Sequence, residues 1–181
     1  MVYIALLRGI NVGGNNKIDM KQLKTAFEQA GMNNVVTYIN TGNIIFEDED
    51  HTKGELAELL EAVILNEFGL PIRVVVRSLD DIETMMRSLP DSWTNDDSIK
   101  SDVLFLWAEI DDESVLDKLD IRPEIEHAIY VPGALLWSID RKNANKSGLL
   151  KLVGTKIYKQ MTVRNVNTAR KIYELMRKQS T

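Results

Sequence analysis

The order of apolar runs and helix signals over the first 77 residues is the feature of this sequence that most limits its possible folds. Residues 2–8 form an apolar run with β-branched and aromatic side chains, which predicts a strand. Helices are predicted from Asp19 to Gly31 and from Thr52 to Gly69, because each begins at a capping residue and ends at a glycine. Further short apolar runs predict strands at Val35–Tyr38, Ile44–Glu47 and Ile72–Arg77.

These elements follow one another as β-α-β-β-α-β, the split or ferredoxin-like order. The second part of the chain repeats the order more weakly, with short strands and turn signals. Its predicted elements are a strand at Asp102–Glu109, a short helix at Glu113–Leu119, strands at Glu126–Val131 and Leu135–Asp140, a helical stretch at Ser147–Lys159, an extended Met161–Arg164 and a last helix capped by Asn167. We therefore expect an α+β fold of two ferredoxin-like halves with mainly antiparallel sheets.

The boundary between the halves is predicted at Pro90–Ser98, a segment dense in turn-forming residues. This divides the chain into an N-terminal ferredoxin-like half at residues 1–90 and a C-terminal ferredoxin-like half at 99–181, which ends in basic helices. In the C-terminal half, His127 is in phase with Ile125 and Ile129, so we expect it to pack on a half-buried strand face.

Composition excludes several kinds of chemistry. The chain has no cysteine and only two histidines, His51 and His127, which lie far apart in sequence. Disulfides, thiolate nucleophiles and zinc sites are therefore not expected. We also expect no other bound metal. No apolar run reaches the roughly 18 residues of a membrane helix, and the start lacks the basic region of a signal peptide. We expect a cytoplasmic protein without a membrane association.

Charge is unevenly distributed along the chain. The net charge is −5, yet residues 142–181 hold ten Lys or Arg and only one Glu. This basic segment could pack on the acidic stretch at 91–141, or it could present a positive surface to phosphates or nucleic acid. The pattern leaves both interpretations open.

Polar and basic side chains concentrate in three segments where strands end, at Arg8–Asn16, Tyr38–Asn43 and Met161–Thr168. In the first, Gly13 and Gly14 would let backbone N–H groups face a ligand, and the following helix would direct its positive end there, which favours an anion. The spacing matches neither a Walker loop nor Gly-x-Gly-x-x-Gly, so no cofactor is identified. Alternatively, the two glycines only form a tight turn.

The other two segments also have two interpretations. In the second, Asn40 and Thr41 could bind a ligand or complete a hairpin turn. In the third, Arg164 stands beside a helix start, where it could hold a carboxylate or phosphate or pair with a buried acid, and Asn167 is expected to cap that helix.

Three sequence motifs, ALLRGINVGG at 5–14, TYINTGN at 37–43 and TVRNVNT at 162–168, together resemble the bacterial family known as domain of unknown function 1697. The resemblance implies an α+β fold with ferredoxin-like halves and one shared site assembled from these motifs. Val166 and Thr41 depart from the family pattern, where an aromatic residue and a serine are more usual. With Asn15 and Thr41 added from the segments themselves, the candidate ligand-binding residues are Arg8, Asn11, Gly13, Gly14, Asn15, Tyr38, Asn40, Thr41, Gly42, Asn43, Thr162, Arg164, Asn165, Asn167 and Thr168.

These residues suggest a protein that binds a small anionic or nucleotide-like ligand. Two other functions remain open. One is nucleic-acid binding, although the strands lack the aromatic and basic signature of an RNA-recognition module. The other is a non-catalytic interaction scaffold in which the motifs hold the fold together and bind no ligand.

Overall fold

The computed structural model describes residues 1–181 and contains eight strands and four α-helices. The strands form two four-stranded sheets in which every neighbouring pair is antiparallel. The predicted α+β fold with antiparallel sheets is confirmed. None of the helices combines the length and the apolar character needed to cross a bilayer.

The chain divides into two compact units. The first unit comprises residues 1–82 and 172–181, and the second comprises residues 83–171. The predicted division at Pro90–Ser98 into an N-terminal half at 1–90 and a C-terminal half at 99–181 remains a prediction.

The first unit follows the β-α-β-β-α-β order expected from sequence. Its strands lie in the order β2-β3-β1-β4, so β1 occupies a central position between β3 and β4. The elements are β1 (Val2–Leu7), α1 (Met20–Gln29), β2 (Asn33–Tyr38), β3 (Asn43–Glu47), α2 (Lys53–Phe68), β4 (Val74–Ser78) and α3 (Leu79–Ser88).

Local capping chemistry sets the helix boundaries in this unit. The Asp19 side chain accepts hydrogen bonds from the first backbone N–H groups of α1. Thr52 and Glu55 form a reciprocal capping box at the start of α2, and Gly69 ends that helix in the left-handed conformation. The predicted caps at Asp19, Thr52 and Gly69 are confirmed.

One face of the first sheet packs against helices α1 and α2. Tyr3, Ala5 and Leu7 of β1 point into this core, where Phe27 of α1 meets Phe46 of β3 edge to face, 6.2 Å between ring centroids. Because β1 is buried along its whole length, the chain that enters it at Val2 reaches solvent again after Leu7. The polar loop that begins at Arg8 therefore lies at the end of the central strand.

The second unit has the same relative strand order, β6-β7-β5-β8. Its connections are mostly short 3-10 turns, including Glu113–Lys118, where a short helix was expected. Its elements are β5 (Ile99–Leu106), β6 (Glu126–Val131), β7 (Ala134–Asp140), β8 (Met161–Asn165) and α4 (Val166–Gln179), the last of which ends in the first unit.

The helical stretch predicted at Ser147–Lys159 was wrong. The structure has two short 3-10 turns there, Gly148–Lys151 and Tyr158–Gln160. Glycines interrupt the apolar pattern on which the prediction rested, and Gly154 adopts a φ of +90° that no helix contains. Strand β5 also ends at Leu106, so the predicted extension to Glu109 was wrong, because Ala108–Ile110 turns into a 3-10 helix.

A buried glutamate fastens the 3-10 segment to the sheet. Glu126 is 1% exposed, and its carboxylate accepts hydrogen bonds from Trp137 Nε1 (2.8 Å), Ser147 Oγ (2.6 Å), Gly148 N (2.9 Å) and Arg122 N (2.9 Å). Burial raises the pKa of this carboxyl, but the four hydrogen bonds outweigh burial and hold the pKa below its usual value. The expectation for the neighbouring His127 was wrong: it is exposed, because Glu126 takes the inward position, and its ring stacks on Trp93.

Gly148 is the position in this 3-10 segment that cannot accommodate a side chain. A Cβ there would lie 1.4 Å from the backbone oxygen of Asp120. We predict that Gly148→Ala lowers the free energy of unfolding by more than about 3 kcal/mol, because the backbone must move and the Glu126 hydrogen bonds break. Gly54→Ala, inside α2 with open space around its Cα, is the matched control and should raise stability by about 0.5 kcal/mol. Equal melting temperatures for the two variants would contradict this account.

Candidate functional site

The first polar loop contains a two-residue turn. Asn15 N donates to Val12 O at 2.9 Å, and the intervening Gly13 and Gly14 have φ of +58° and +77°. Positive φ at both central residues is the signature of a type I′ turn, which strongly favours glycine. Both glycines are exposed with open space around them. The turn accounts for their presence, and a ligand-binding role for either remains a prediction.

The Asn11 side chain ties this loop to the hairpin turn between β2 and β3. Its Nδ2 donates to Asn40 O at 2.7 Å and to Ile18 O at 3.1 Å, while its Oδ1 accepts from Ile18 N at 2.9 Å. Asn11 itself has a φ of +53°, which asparagine tolerates better than most residues. With the amide committed to three contacts, its function in the structure is to hold two loops together. We call the two loops, Arg8–Asn16 and Ile39–Asn43, the loop junction.

The hairpin side of the loop junction is also held from within. Gly42 has a φ of +92°, and a Cβ there would lie 2.7 Å from Leu7 Cβ, so only glycine fits. Asn43 is fully buried and donates to Tyr38 O and to the Thr41 hydroxyl. Gly42, Asn43 and Thr41 thus have clear structural roles, and their direct contact with a ligand remains a prediction.

A smaller set of side chains in the loop junction faces solvent. Arg8 and Tyr38 are half-buried, while Asn15 and Asn40 are exposed. Two apolar side chains are also exposed, Val12 at 59% and Ile39 at 47%. The surface of the loop junction therefore combines one guanidinium, several amides and two aliphatic groups.

Ile39 is the residue of the loop junction that the sequence did not point to. Its φ is +48°, in the left-handed region that β-branched residues almost never occupy. The only signal in the sequence was the position of Ile39 beside the turn residues Asn40, Thr41 and Gly42. A position beside a turn does not show whether the backbone is strained or relaxed.

The start of α1 is not available to an anion. The Asp19 carboxylate already accepts from Lys21 N at 2.9 Å and Gln22 N at 3.0 Å. The negative charge of Asp19 compensates the positive end of the helix dipole. The interpretation that this dipole favours a ligand anion in the first loop is therefore not supported, and Arg8 is the cationic group of the loop junction that could serve it.

The third motif lies in the second unit, at the end of β8. Arg164 is 7% exposed, and its Nη1 donates to Thr162 Oγ1 and to Val163 O, both at 2.9 Å. Burial lowers the pKa of Arg164 to about 10, which still leaves the guanidinium charged at neutral pH. A single site assembled from all three motifs remains a prediction.

The last helix is capped by Asn165, so the predicted cap at Asn167 was wrong. Asn165 precedes α4, and its Oδ1 accepts from Thr168 N at 3.0 Å, as an N-cap does. Asn167 lies inside the first turn and donates to Asn95 O at 2.9 Å. The strand ends one residue later than predicted, at Asn165, and the helix starts directly after it at Val166.

Several groups of the basic segment at 142–181 contact the chain itself, some outside the segment and some within it. Lys151 pairs with Asp120 at 2.6 Å, and Arg170 donates to Pro90 O. Lys178 pairs with Glu174, and Arg177 lies over the Tyr173 ring. These contacts favour the interpretation in which the basic segment packs internally.

The histidines and carboxylates do not assemble into a metal centre. No group of three or more His, Cys, Asp or Glu side chains is placed to hold a metal ion. His51 Nδ1 lies 3.0 Å from Asp48 Oδ1, and this hydrogen bond raises the pKa of His51. His51 thus belongs to the turn before α2 rather than to the loop junction.

Comparisons with known proteins agree with this α+β architecture of two antiparallel sheets. A family model described as "Protein of unknown function (DUF1697)" matches residues 1–137, and the chain belongs to this family. The matched range includes the loop junction. A solved structure of a conserved bacterial protein from Streptococcus pneumoniae is similar, with a TM-score of 0.83 and 29% identity over 97% of this chain and 98% of that one. A search of curated proteins finds no match.

The Asn11 contacts give a direct prediction about the rigidity of the loop junction. Asn11→Gly keeps the positive φ accessible but removes three hydrogen bonds, so we expect a loss of about 2 kcal/mol in the free energy of unfolding. Amide exchange should accelerate at residues 8–18 and 39–43. Asn15→Gly is the control, because its exposed side chain makes no hydrogen bond in the structure. Unchanged exchange in Asn11→Gly would show that the backbone alone holds the two loops.

Proposed function

We propose that this protein binds a small anionic, nucleotide-like ligand at the loop junction of its first unit, as a cytoplasmic protein. The observation that carries the proposal is Ile39, a β-branched residue with a φ of +48° and a side chain that is 47% exposed. The family membership and the fold leave this function open, and the chemistry of the loop junction supports it.

Ile39 is costly for the fold at this position. The left-handed conformation costs about 1–2 kcal/mol for a residue with a Cβ, and a turn position offers glycine or asparagine as relaxed alternatives. Nearly half of the side chain is exposed, so burial offsets only part of that cost. Backbone strain that stability does not require is concentrated at functional sites. This supports a role in which the Ile39 side chain contacts a ligand or a partner protein.

The groups around Ile39 suggest what that contact is. The Arg8 guanidinium can bind a phosphate or carboxylate through two parallel hydrogen bonds. Ile39 and Val12 offer aliphatic surface to a flat ring, and the exposed amides of Asn15 and Asn40 can both donate and accept hydrogen bonds. A nucleotide carries an anionic group, a ring face and a polar ring edge, so it fits this set of groups. The Asn11 contacts hold the two loops in place before binding, which reduces the entropy lost on association.

An interaction scaffold is the second candidate function. The exposed aliphatic pair, Val12 and Ile39, could equally contact a protein partner, and the internal roles of Asn11, Gly42 and Asn43 suit a scaffold. Nucleic-acid binding ranks below both, because many basic groups of residues 142–181 contact the chain itself. A nucleic-acid complex would weaken steeply with salt, whereas a small-ligand complex with one Arg contact would weaken far less.

The first test is a thermal-shift and calorimetric screen of nucleoside monophosphates, nucleoside diphosphates and short single-stranded RNA. We expect a nucleotide to bind the wild type, and we expect Arg8→Gln to weaken binding at least 10-fold, because the charged, bidentate contact is lost. Arg87→Gln is the control, since Arg87 is an exposed arginine of α3 paired with Glu83. Equal affinity in wild type and Arg8→Gln would contradict the proposal.

The second test separates function from stability at Ile39. Ile39→Gly should raise the free energy of unfolding by about 1 kcal/mol, because the left-handed strain is relieved. For a chain of this length that corresponds to a rise of roughly 2–4 °C in melting temperature. The same variant should bind the nucleotide at least 5-fold more weakly. A variant that is less stable but binds with full affinity would show that Ile39 serves the fold.

A further inference from the structure

Asp102 is a half-buried carboxylate on the face of the second sheet that packs against the core of the second unit. It lies on the central strand β5, where Trp137 of β7 and Asn165 of β8 are its direct cross-strand partners. Directly opposite residues of an antiparallel pair project from the same face of the sheet. Leu104, the next residue of β5 on this face, belongs to the core of the unit. The row Trp137–Asp102–Asn165 therefore marks the point where this core gives way to polar groups.

The Asp102 carboxylate has no donor within the protein. It is half-buried, and no hydrogen bond or ion pair of the structure engages it. Burial raises the pKa of Asp102, and this effect outweighs the positive charges of Lys100 and Arg141, which lower it. A carboxylate that is partly removed from water and accepts no hydrogen bond destabilises the fold, because its lost hydrogen bonds to water are not replaced.

Asn165 supplies the complementary group. Its Oδ1 accepts from Thr168 N, which orients the side chain, and its amide nitrogen donates to no group of the protein. The carboxylate acceptor and the amide donor thus stand on neighbouring strands and on the same face. Opposite side chains of such a pair have Cβ atoms about 5 Å apart, which is the right separation for both to reach one small polar group.

Two cations flank this pair without neutralising it. Lys100, two residues before Asp102 on the same face, has its Nζ 5.7 Å from the centroid of the Trp137 ring. Arg141 donates to Asn95 Oδ1 at 3.0 Å, which holds its guanidinium near the start of β5. Both lower the pKa of Asp102 through space, yet neither forms an ion pair with it. The cluster carries more positive than negative charge and is reachable from solvent through the exposed Arg141.

We propose that Asp102, Asn165, Lys100 and Arg141 form a second binding site, for a hydroxylated phosphate such as a sugar phosphate. A hydroxyl can both donate to a carboxylate and accept from an amide. Lys100 and Arg141 then bind the phosphate of the same molecule. Carboxylate recognition of a sugar hydroxyl beside a phosphate site is an established combination in other folds. The site lies in the second unit and does not depend on the function proposed for the loop junction.

The experiment follows the side-chain amide of Asn165 and the backbone amide of Asp102 by ¹⁵N NMR during titration with ribose 5-phosphate. We expect both resonances to shift in a saturable way. Inorganic phosphate alone and ribose alone should bind at least 10-fold more weakly, because each satisfies only half of the cluster. Absence of any shift at these two residues, or equal affinity for inorganic phosphate, would overturn the proposal.

Two variants separate binding from folding. Asp102→Asn should weaken ribose 5-phosphate at least 10-fold while the melting temperature stays equal or rises, because the buried charge is removed. Asn165→Asp keeps an oxygen to cap α4 but removes the amide donor, and it should weaken binding to a similar degree. Asp117→Asn, an exposed carboxylate with the same charge change, should leave binding unchanged. Full affinity in Asp102→Asn, or a loss of stability there without a change in affinity, would contradict the proposal.

Discussion

The burial of β1 on both faces and its pairing along both edges is the constraint on which the loop junction depends. Because β3 and β4 take up the backbone hydrogen bonds of β1, the strand cannot shift without breaking the sheet. Leu7 N still donates to Gly42 O at 2.9 Å, so the end of β1 and the hairpin turn are fixed to each other. Arg8 and the loop after it therefore start from a rigid position, which a binding site built from loops requires.

The loop junction is then shaped by asparagine amides rather than by ion pairs. Asn11 and Asn43 each satisfy backbone carbonyls that a tight, irregular loop would otherwise leave without donors. This explains why the motif residues divide into two groups. Those with committed amides build the loops. The half-buried Arg8 and the exposed Asn15, Ile39 and Asn40 form the surface on which the proposed ligand rests.

Sequence patterns predicted the elements whose boundaries are set by local chemistry. Asp19, Thr52 and Gly69 cap helices through groups a few residues away, so their roles can be read from spacing alone. The errors arose where a tertiary contact decides the conformation. Glu126 turns inward because Trp137, Ser147 and Gly148 satisfy it, and this reverses the face expected for His127. The strain at Ile39 and the position of Asp102 likewise depend on neighbours that are distant in sequence.

If the loop junction is a ligand site, a bound nucleotide should slow amide hydrogen exchange in its two loops. The measurement compares the wild type alone with the wild type saturated by the nucleoside mono- or diphosphate that gives the largest thermal shift. We expect slower exchange at residues 8–16 and 39–43 of the first unit. Protection confined to other segments, or no change with any nucleotide, would contradict it.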